Sequence, residues 1–236
     1  GGLQINNILE AQGKEPKYLV SQSGMKSRHT DEETLDAAIM ALGGLVNKKM
    51  VAGLQASGVN AFGLTGVDGK ILVARRKKKL ITIDPETSKR IVVRNDYSGK
   101  IDPGKVKGKI IEGLLDAGLV PVIGALATSA EDEILNTDGD RAASCTCNAI
   151  KGDLLVSVTD VAGVLASLDD EKAISTLTEG MLDSMMEKVR GGMRKKIFAV
   201  KEALELGISK IIITSGLVEA GVSRAIAGDI GTTITP

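Results

Sequence analysis

Two glycines and two lysines near residue 191 form the first group of residues that could carry out chemistry. Gly191 and Gly192 precede Lys195 and Lys196, where the sequence predicts the start of a helix. Backbone amides at a helix start favour a phosphate, and a lysine there adds a positive charge. The group therefore suggests a phosphate site, although a solvated lysine face remains an alternative.

Polar loops after predicted strands form the second group. The sequence Asn136-Thr137-Asp138-Gly139-Asp140 opens a helix, and the loop from Thr159 to Gly163 follows a strand. In parallel α/β sheets, ligands bind beyond the carboxyl ends of the strands, which is where such loops lie. Asp138 and Asp140 could hold a lysine or a metal, or they could simply stabilise the helix start.

Several kinds of catalytic site are disfavoured by what the sequence lacks. It has neither a P-loop nor a dinucleotide-binding glycine motif. His29 is the only histidine, which disfavours a nucleophilic triad and indicates a solvated loop residue more than a substrate contact. Cys145 and Cys147 fall on opposite sides of a helix with no further ligands nearby, so we interpret them as core residues.

The composition describes an ordinary globular protein. The 236 residues carry 30 Lys+Arg and 30 Asp+Glu, so the formal net charge of zero argues against a general nucleic-acid binder. The two cysteines suit a reducing cytosol, and we expect a cytoplasmic protein. No unbroken apolar run reaches the roughly 18 residues of a membrane span, so no membrane association is expected.

Helices and strands alternate along most of the chain. Thr30 to Glu33 resemble a capping box at the start of a long helix that ends near Ala56. Residues 71–79 and 89–94 have strand character and predict a β-hairpin or small meander around Asp84-Pro85-Glu86-Thr87. The second half alternates strands with helices, including a helix over residues 176–189. The pattern favours an α/β fold whose mainly parallel sheet is covered on both faces.

Seven motifs, each modest alone, occur in an order that resembles the N-acetylglutamate kinases of the amino acid kinase superfamily. The resemblance spans nearly the whole chain. The motifs are Gly1-Gly2-Leu3-Gln4-Ile5-Asn6, Arg28-His29-Thr30-Asp31-Glu32-Glu33, Val46-Asn47-Lys48, Gly63-Leu64-Thr65-Gly66-Val67-Asp68-Gly69, Asn136-Thr137-Asp138-Gly139-Asp140, Thr159-Asp160-Val161-Ala162-Gly163-Val164 and Gly192-Met193-Arg194-Lys195-Lys196. The resemblance implies a three-layer αβα sandwich with a mainly parallel central sheet plus a β-hairpin, the amino acid kinase fold.

Three segments resemble the branch that acts on aminoadipate or glutamate linked to a small acidic amino-group carrier protein. They are Gly24-Met25-Lys26-Ser27-Arg28, Arg75-Arg76-Lys77-Lys78 and Asp96-Tyr97-Ser98-Gly99-Lys100. The implied reaction transfers the γ-phosphoryl group of ATP, with Mg²⁺, to a side-chain carboxylate in lysine or arginine biosynthesis. A carboxylate is already a nucleophile, so this reaction needs alignment and charge neutralisation rather than a general base.

The resemblance also implies a role for individual residues. Lys196 corresponds to the lysine that stabilises the transferring phosphoryl group, and Asp140 to the aspartate that orients the catalytic lysines. The acceptor is implied to contact Gly1, Gly2, Arg28 and Asn136. The nucleotide is implied to contact Thr159, Asp160, Gly163 and Lys196. The acceptor lobe is expected near residues 1–125 and the nucleotide lobe near residues 126–236.

One departure from the family concerns its first strand, which carries a K-I-G-G sequence that this chain lacks along with the following helix and strand. We interpret this as truncation. A non-catalytic regulatory binding protein therefore remains as an alternative, and the sequence upstream of Gly1 would discriminate it from an enzyme. A free N-acetylglutamate kinase is a separate alternative, which an assay of carrier-bound against free acetylated substrate would discriminate. Family members form dimers, and the long helix has apolar surface that could serve a homodimer.

A basic run at residues 75–79 contains five consecutive cations in a chain of zero net charge. Alternate side chains of a strand face opposite sides, so five in a row are hard to bury. On an exposed edge strand, these cations could prevent pairing with other chains and so prevent aggregation. The alternative that we favour is docking of the acidic carrier by Lys26, Arg75, Arg76, Lys77 and Lys78.

Overall fold

The computed structural model describes residues 1–20, 26–83, 90–165, 173–189 and 191–236. The chain divides into two compact units, Gly1–Ala142 and Ala143–Pro236. The division falls inside helix α5 (Gly139–Ala149), whereas the sequence placed the lobe boundary near residue 125. Residues 24 and 25 and the expected hairpin turn at residues 84–87 lie outside the described residues.

The first unit contains helices α1 to α4, the start of α5, and strands β1 to β10. The helices are α1 (Gly2–Ala11), α2 (Glu32–Ile39), α3 (Asn47–Ala56) and α4 (Gly108–Asp116). The strands are β1 (Tyr18–Val20), β2 (Lys26–Arg28), β3 (Ala61–Thr65), β4 (Ala74–Arg76), β5 (Leu80–Ile83), β6 (Arg90–Val93), β7 (Ser98–Ile101), β8 (Val120–Gly124), β9 (Leu126–Thr128) and β10 (Ile134–Thr137).

A continuous helical segment runs from α2 through a π-helical stretch, Met40–Val46, into α3. Its N-cap is Asp31, whose side chain accepts a hydrogen bond from the Thr34 backbone N–H at 2.9 Å. The capping box predicted at Thr30 is therefore wrong by one residue. Thr30 is fully buried, and its hydroxyl accepts a hydrogen bond from Asn136 instead.

The same segment, Glu32–Ala56, is long and apolar enough by length and composition alone to cross a membrane. The sequence showed no unbroken apolar run because Asn47, Lys48 and Lys49 interrupt it. A core helix of a soluble protein meets the same criterion. Here Ala37, Ala38 and Ala41 are completely buried in a cluster with α1, so part of this helix is a packed element of the unit.

Asn47 ties the long helix to strands β3 and β8, which pair in parallel. Its buried Nδ2 donates hydrogen bonds to the carbonyls of Leu64 at 3.0 Å and Val122 at 2.8 Å. A Cβ on Gly63 would lie 2.2 Å from the Asn47 Oδ1, so only glycine fits at this crossing. The fixed helix places the loop that follows β3 at a defined position.

A four-stranded sheet of order β4-β7-β10-β9 forms the other large sheet of this unit. β7 and β10 pair in parallel, whereas β4 pairs with β7 and β9 with β10 in antiparallel fashion. The predicted hairpin between residues 71–79 and 89–94 is wrong in its first strand, which is β5 (Leu80–Ile83) rather than residues 71–79. β6 pairs with β5, because β4 is already hydrogen-bonded to β7.

The second unit is built on a four-stranded sheet of order β11-β13-β14-β12. Its strands are β11 (Leu155–Thr159), β12 (Thr176–Thr178), β13 (Ile211–Ser215) and β14 (Thr232–Thr235), and its further helices are α6 (Leu182–Lys188), α7 (Gly191–Glu205) and α8 (Gly221–Ala227). Parallel ladders join β11 to β13 and β12 to β14. The helix predicted over residues 176–189 is wrong in its first third, since Thr176–Thr178 pairs with β14.

Candidate active site

Arg28 lies at the end of β2, and one nitrogen of its guanidinium, Nη2, makes two hydrogen bonds. Its Nη2 donates hydrogen bonds to the Gly2 carbonyl at 3.0 Å and to the Tyr18 hydroxyl at 3.1 Å. The Tyr18 ring lies under the guanidinium, 5.1 Å from its centroid, and the Tyr18 hydroxyl donates to Asn6. The Nη1 atom is buried and has no hydrogen-bond partner among the described residues. A buried donor of this kind suits an oxygen atom of a ligand.

Gly1 and Gly2 form the start of α1 beside this guanidinium. A Cβ on Gly1 would come within 2.8 Å of the Leu42 side chain, whereas Gly2 has space around it. The first amides of α1 precede any intrahelical partner and can therefore face an anion. The structure thus brings together Gly2 and Arg28, two of the residues implied to contact the acceptor.

Asn136 joins the same region through Thr30. Its Nδ2 donates to the Thr30 hydroxyl at 3.1 Å, and its backbone N–H donates to the Tyr97 carbonyl at 2.9 Å. Thr30 lies two residues beyond Arg28 in the chain. Gly2, Arg28 and Asn136 are thereby connected within the first unit. Arg28 is hydrogen-bonded to Gly2, and Asn136 is hydrogen-bonded to Thr30, two residues after Arg28.

The start of α5 follows directly after Asn136. Asp138 caps the helix, because its carboxylate accepts a hydrogen bond from the Arg141 backbone N–H at 3.1 Å. This supports the helix-start interpretation of Asp138 over a metal-ligand one. Asp140 is half-buried in the first turn of α5.

In the second unit, β11 ends at Thr159, and Asp160 follows directly. The Thr159 hydroxyl donates to the Asp160 carboxylate at 3.0 Å, and the Thr159 carbonyl accepts from the Gly216 N–H. Gly163 is buried, and a Cβ there would lie 2.7 Å from the Thr232 hydroxyl, so the loop can pass only with glycine. The loop is therefore fixed at both ends, by β13 and by β14.

Lys196 lies on α7 in the second unit and is half-buried. Its Nζ donates to the hydroxyl of Ser157 on β11 at 3.2 Å. Ser157 was not identified from the sequence, since a serine inside an apolar strand carries no motif. The contact places the Lys196 ammonium near the strand that leads into the Thr159 loop.

The residues predicted to dock a carrier do not form one uniform surface. Arg76 turns inward: it stacks on the Tyr97 ring at 3.7 Å, donates to the Asp96 carbonyl and pairs with Glu133. Arg76 is therefore an internal residue and not part of a docking surface. Lys26 is exposed, with its ammonium 4.5 Å from the centroid of the Tyr18 ring.

Arg75 is exposed on β4, directly across the antiparallel ladder from Lys100 of β7. Lys78 is exposed and pairs with Glu131 at 3.5 Å. Lys77 is exposed as a residue, but surrounding atoms desolvate its ammonium, which lowers its pKa. The negative charge of Asp96 acts in the opposite direction and offsets part of this lowering. Arg75, Lys78 and Lys100 are therefore exposed cations, whereas the Lys77 ammonium is partly desolvated.

His29 is half-buried rather than solvated, which corrects the expectation of a solvated loop residue. Its Nε2 is buried without a hydrogen-bond partner among the described residues. Cys145 and Cys147 are both buried, in agreement with the core interpretation. No group of three or more His, Cys, Asp or Glu side chains in the described ranges could hold a metal ion.

The sequence matches the model of the amino acid kinase family over residues 1–215. A protein of Nitrosopumilus maritimus, provisionally named a LysW-aminoadipate/LysW-glutamate kinase, is 41% identical over 99% of this chain and 85% of its own length. The acetylglutamate kinase of Methanopyrus kandleri is 39% identical over 93% of this chain and 85% of its own length.

Among solved structures, the smu.665 protein of Streptococcus mutans superposes with a TM-score of 0.76. It is 22% identical and covers 100% of this chain and 83% of its own, so it shows a shared fold. The chain therefore belongs to the amino acid kinase family, and the expected fold class is confirmed. Relatives 37–41% identical over nearly the full chain carry the LysW-aminoadipate/LysW-glutamate kinase name.

Proposed function

We propose that this protein transfers the γ-phosphoryl group of ATP to the side-chain carboxylate of L-2-aminoadipate or L-glutamate held on an acidic amino-group carrier protein. A carboxylate oxygen forms the new bond to phosphorus, the bond to the bridging β,γ-oxygen breaks, and ADP leaves. No proton is transferred. The product is an acyl phosphate of lysine or arginine biosynthesis.

The observation that carries this proposal is the Arg28 guanidinium. Gly2 and Tyr18 occupy its Nη2, and the buried Nη1 remains available to an acceptor oxygen. An arginine so held binds a carboxylate with fixed geometry, which supports an anionic amino-acid acceptor in the first unit. The proposed acceptor residues are Gly1, Gly2, Arg28 and Asn136.

We assign nucleotide binding to the second unit. The fixed loop of Thr159, Asp160 and Gly163 would face the nucleotide, and Lys196 would stabilise charge on the phosphoryl group during transfer. Asp140 would orient the lysine charge. Mg²⁺ would accompany ATP and neutralise phosphate charge. It is usually bound by few carboxylates plus the phosphates, so we assign it no protein ligands.

An acceptor comparison tests the proposal with the full gene product. Purified enzyme and ATP receive carrier-linked aminoadipate, carrier-linked glutamate or free N-acetylglutamate, and hydroxylamine traps any acyl phosphate as a hydroxamate. We expect hydroxamate from a carrier-linked acceptor, and none from carrier lacking the amino acid. One methylene typically gives about 1–3 kcal/mol of discrimination, so both carrier-linked acceptors should react.

A free N-acetylglutamate kinase is the second candidate, favoured by the 39% identity to the Methanopyrus kandleri enzyme. Higher kcat/KM on N-acetylglutamate than on carrier-linked acceptors would establish it and remove the carrier. ATP and acceptor binding without any hydroxamate would instead support a regulatory binding protein.

The carrier contact is assigned to a basic strand surface made of Arg75, Lys77, Lys78 and Lys100, with Lys26 as a further cation. Arg75 and Lys100 lie directly opposite each other in the β4–β7 ladder. Like charges in that position destabilise a sheet. An acidic partner would offset this repulsion, which supports docking over a purely solubilising edge.

We also propose a cytoplasmic homodimer. Met40, Leu45 and Met50 of the long helix are 48%, 43% and 54% exposed, although all three are large and apolar. A second copy of the chain would bury them. Sedimentation of the wild type should give twice the chain mass, and Leu45→Arg should shift it to the monomer.

A further inference from the structure

Thr30 uses every one of its polar groups to hold together three segments of the first unit. It is fully buried. Its N–H donates to the Asp96 carboxylate at 3.4 Å, and its carbonyl accepts from the Tyr97 N–H at 2.7 Å. Its hydroxyl accepts from the Asn136 side chain at 3.1 Å. The residue therefore joins the loop after β2 to the start of β7 and to the end of β10.

Asp96 is the second member of this network and is also fully buried. Besides the Thr30 contact, its carboxylate accepts a hydrogen bond from the Ser98 N–H at 2.6 Å. Its carbonyl accepts from Arg76, whose guanidinium stacks on Tyr97. A buried carboxylate is costly unless it is well hydrogen-bonded, so these contacts define a narrow geometry for the segment.

The network bears on two proposed acceptor-binding groups. Arg28 precedes Thr30 by two residues, so fixing the Thr30 backbone limits where the Arg28 side chain begins. Asn136 donates to the Thr30 hydroxyl, which fixes the direction of its amide. We infer that Thr30 and Asp96 are positioning residues, which hold Arg28 and Asn136 in the orientation that acceptor binding requires. This inference rests on the proposed function.

A pair of Thr30 variants separates positioning from general stability. Thr30→Val keeps the shape but removes the oxygen that orients Asn136, whereas Thr30→Ser keeps that oxygen. Thr30→Val should raise the acceptor KM about tenfold, equivalent to about 1.4 kcal/mol. The ATP KM should stay within about twofold, because only acceptor binding loses an oriented group. Thr30→Ser should restore an acceptor KM close to that of the wild type.

Asp96→Asn tests the other end of the network. One carboxylate oxygen becomes an NH₂ group, and the short Ser98 bond would turn this donor towards the Thr30 N–H. The acceptor KM should rise without a comparable change in the ATP KM. The matched control is Asp102→Asn, since Asp102 also accepts a backbone N–H, that of Gly104, but has no part in the network. It should match the wild type in both constants.

The outcomes discriminate the inference from the proposed function. If the wild type forms no acyl phosphate with any acceptor, the proposed function fails and the inference falls with it. If the wild type is active but Thr30→Val and Thr30→Ser give the same acceptor KM, the inference alone is wrong. A lower melting temperature with unchanged KM values would likewise reduce Thr30 and Asp96 to a structural role.

Discussion

Replacing Arg28 by lysine tests the acceptor site most directly. Two hydrogen bonds from Nη2, to the Gly2 carbonyl at 3.0 Å and to the Tyr18 hydroxyl at 3.1 Å, hold the guanidinium, and the proposed acceptor contact falls to Nη1. A lysine ammonium is a single point and cannot make the supporting bonds and the acceptor bond with the same geometry. Arg28→Lys therefore keeps the charge and loses the oriented acceptor contact.

The size of the effect follows from the contact that is lost. A hydrogen bond to a charged group contributes about 1.5–3 kcal/mol. Since every 1.4 kcal/mol is tenfold in an equilibrium constant, the acceptor KM should rise roughly 10- to 100-fold. The ATP KM should stay within about twofold, because the lost interaction belongs to acceptor binding alone.

Steady-state kinetics with trapped acyl phosphate measures both constants, and Arg90→Lys on exposed β6 is the matched control. Tyr18→Phe keeps the ring beneath Arg28 but removes one acceptor of its Nη2, so its acceptor KM should fall between wild type and Arg28→Lys. An Arg28→Lys variant with a raised ATP KM and a normal acceptor KM would refute the assignment of Arg28 to the acceptor.

Three further changes test the rest of the proposal. Lys196→Ala should lower kcat about 100-fold or more because it removes charge stabilisation during transfer, while Lys195→Ala should be much milder. Equal losses would show that Lys196 has no special role. The double variant Arg75→Glu with Lys100→Glu should lower kcat/KM for carrier-linked acceptor, most clearly at low salt, because screening acts over about 8 Å at physiological ionic strength. Unchanged kcat/KM at low salt would remove this surface from docking. Asp31→Ala should cost about 1 kcal/mol of unfolding free energy at neutral pH through loss of the helix cap. Burial tends to raise the pKa of Asp31, but the Thr34 hydrogen bonds and the charges of His29 and Lys17 outweigh it, so the pKa is lowered. The contribution of Asp31 is therefore present above its unfolded pKa and lost as pH falls through its folded pKa, and urea titrations at several pH values should show the two proteins converging in acid.

The sequence predicted elements best where local pattern and tertiary packing agree. The helix start after Asn136, for example, follows directly from the pattern. Prediction from the sequence failed where the structure depends on a partner strand that is distant along the chain. Residues Thr176–Thr178 continue a helical pattern but form β12, because β14 offers them a parallel ladder. Their local preference could not reveal a partner more than fifty residues away.

The same limit explains which site residues were missed. Arg28 and Asn136 were identified through the family resemblance, but the groups that hold them belong to no motif that specifies orientation. Tyr18 belongs to none of the motifs, and the capping-box pattern predicts a helix cap at Thr30. A run of cations gave no sign that Arg76 would turn onto Tyr97 while Arg75 remained outside. Side-chain direction within a run depends on the pairing of β4 with β7.

The chemistry of carboxylate phosphorylation agrees with the orienting role proposed for Thr30 and Asp96. The nucleophile is a carboxylate that is already ionised at neutral pH, so a general base would have nothing to remove, and His29 need not act as one. The remaining barrier comes from bringing two anions together in line. Groups that fix the acceptor then contribute as much as groups that carry charge. The buried contacts of Thr30 and Asp96 are consistent with a site whose main demand is alignment.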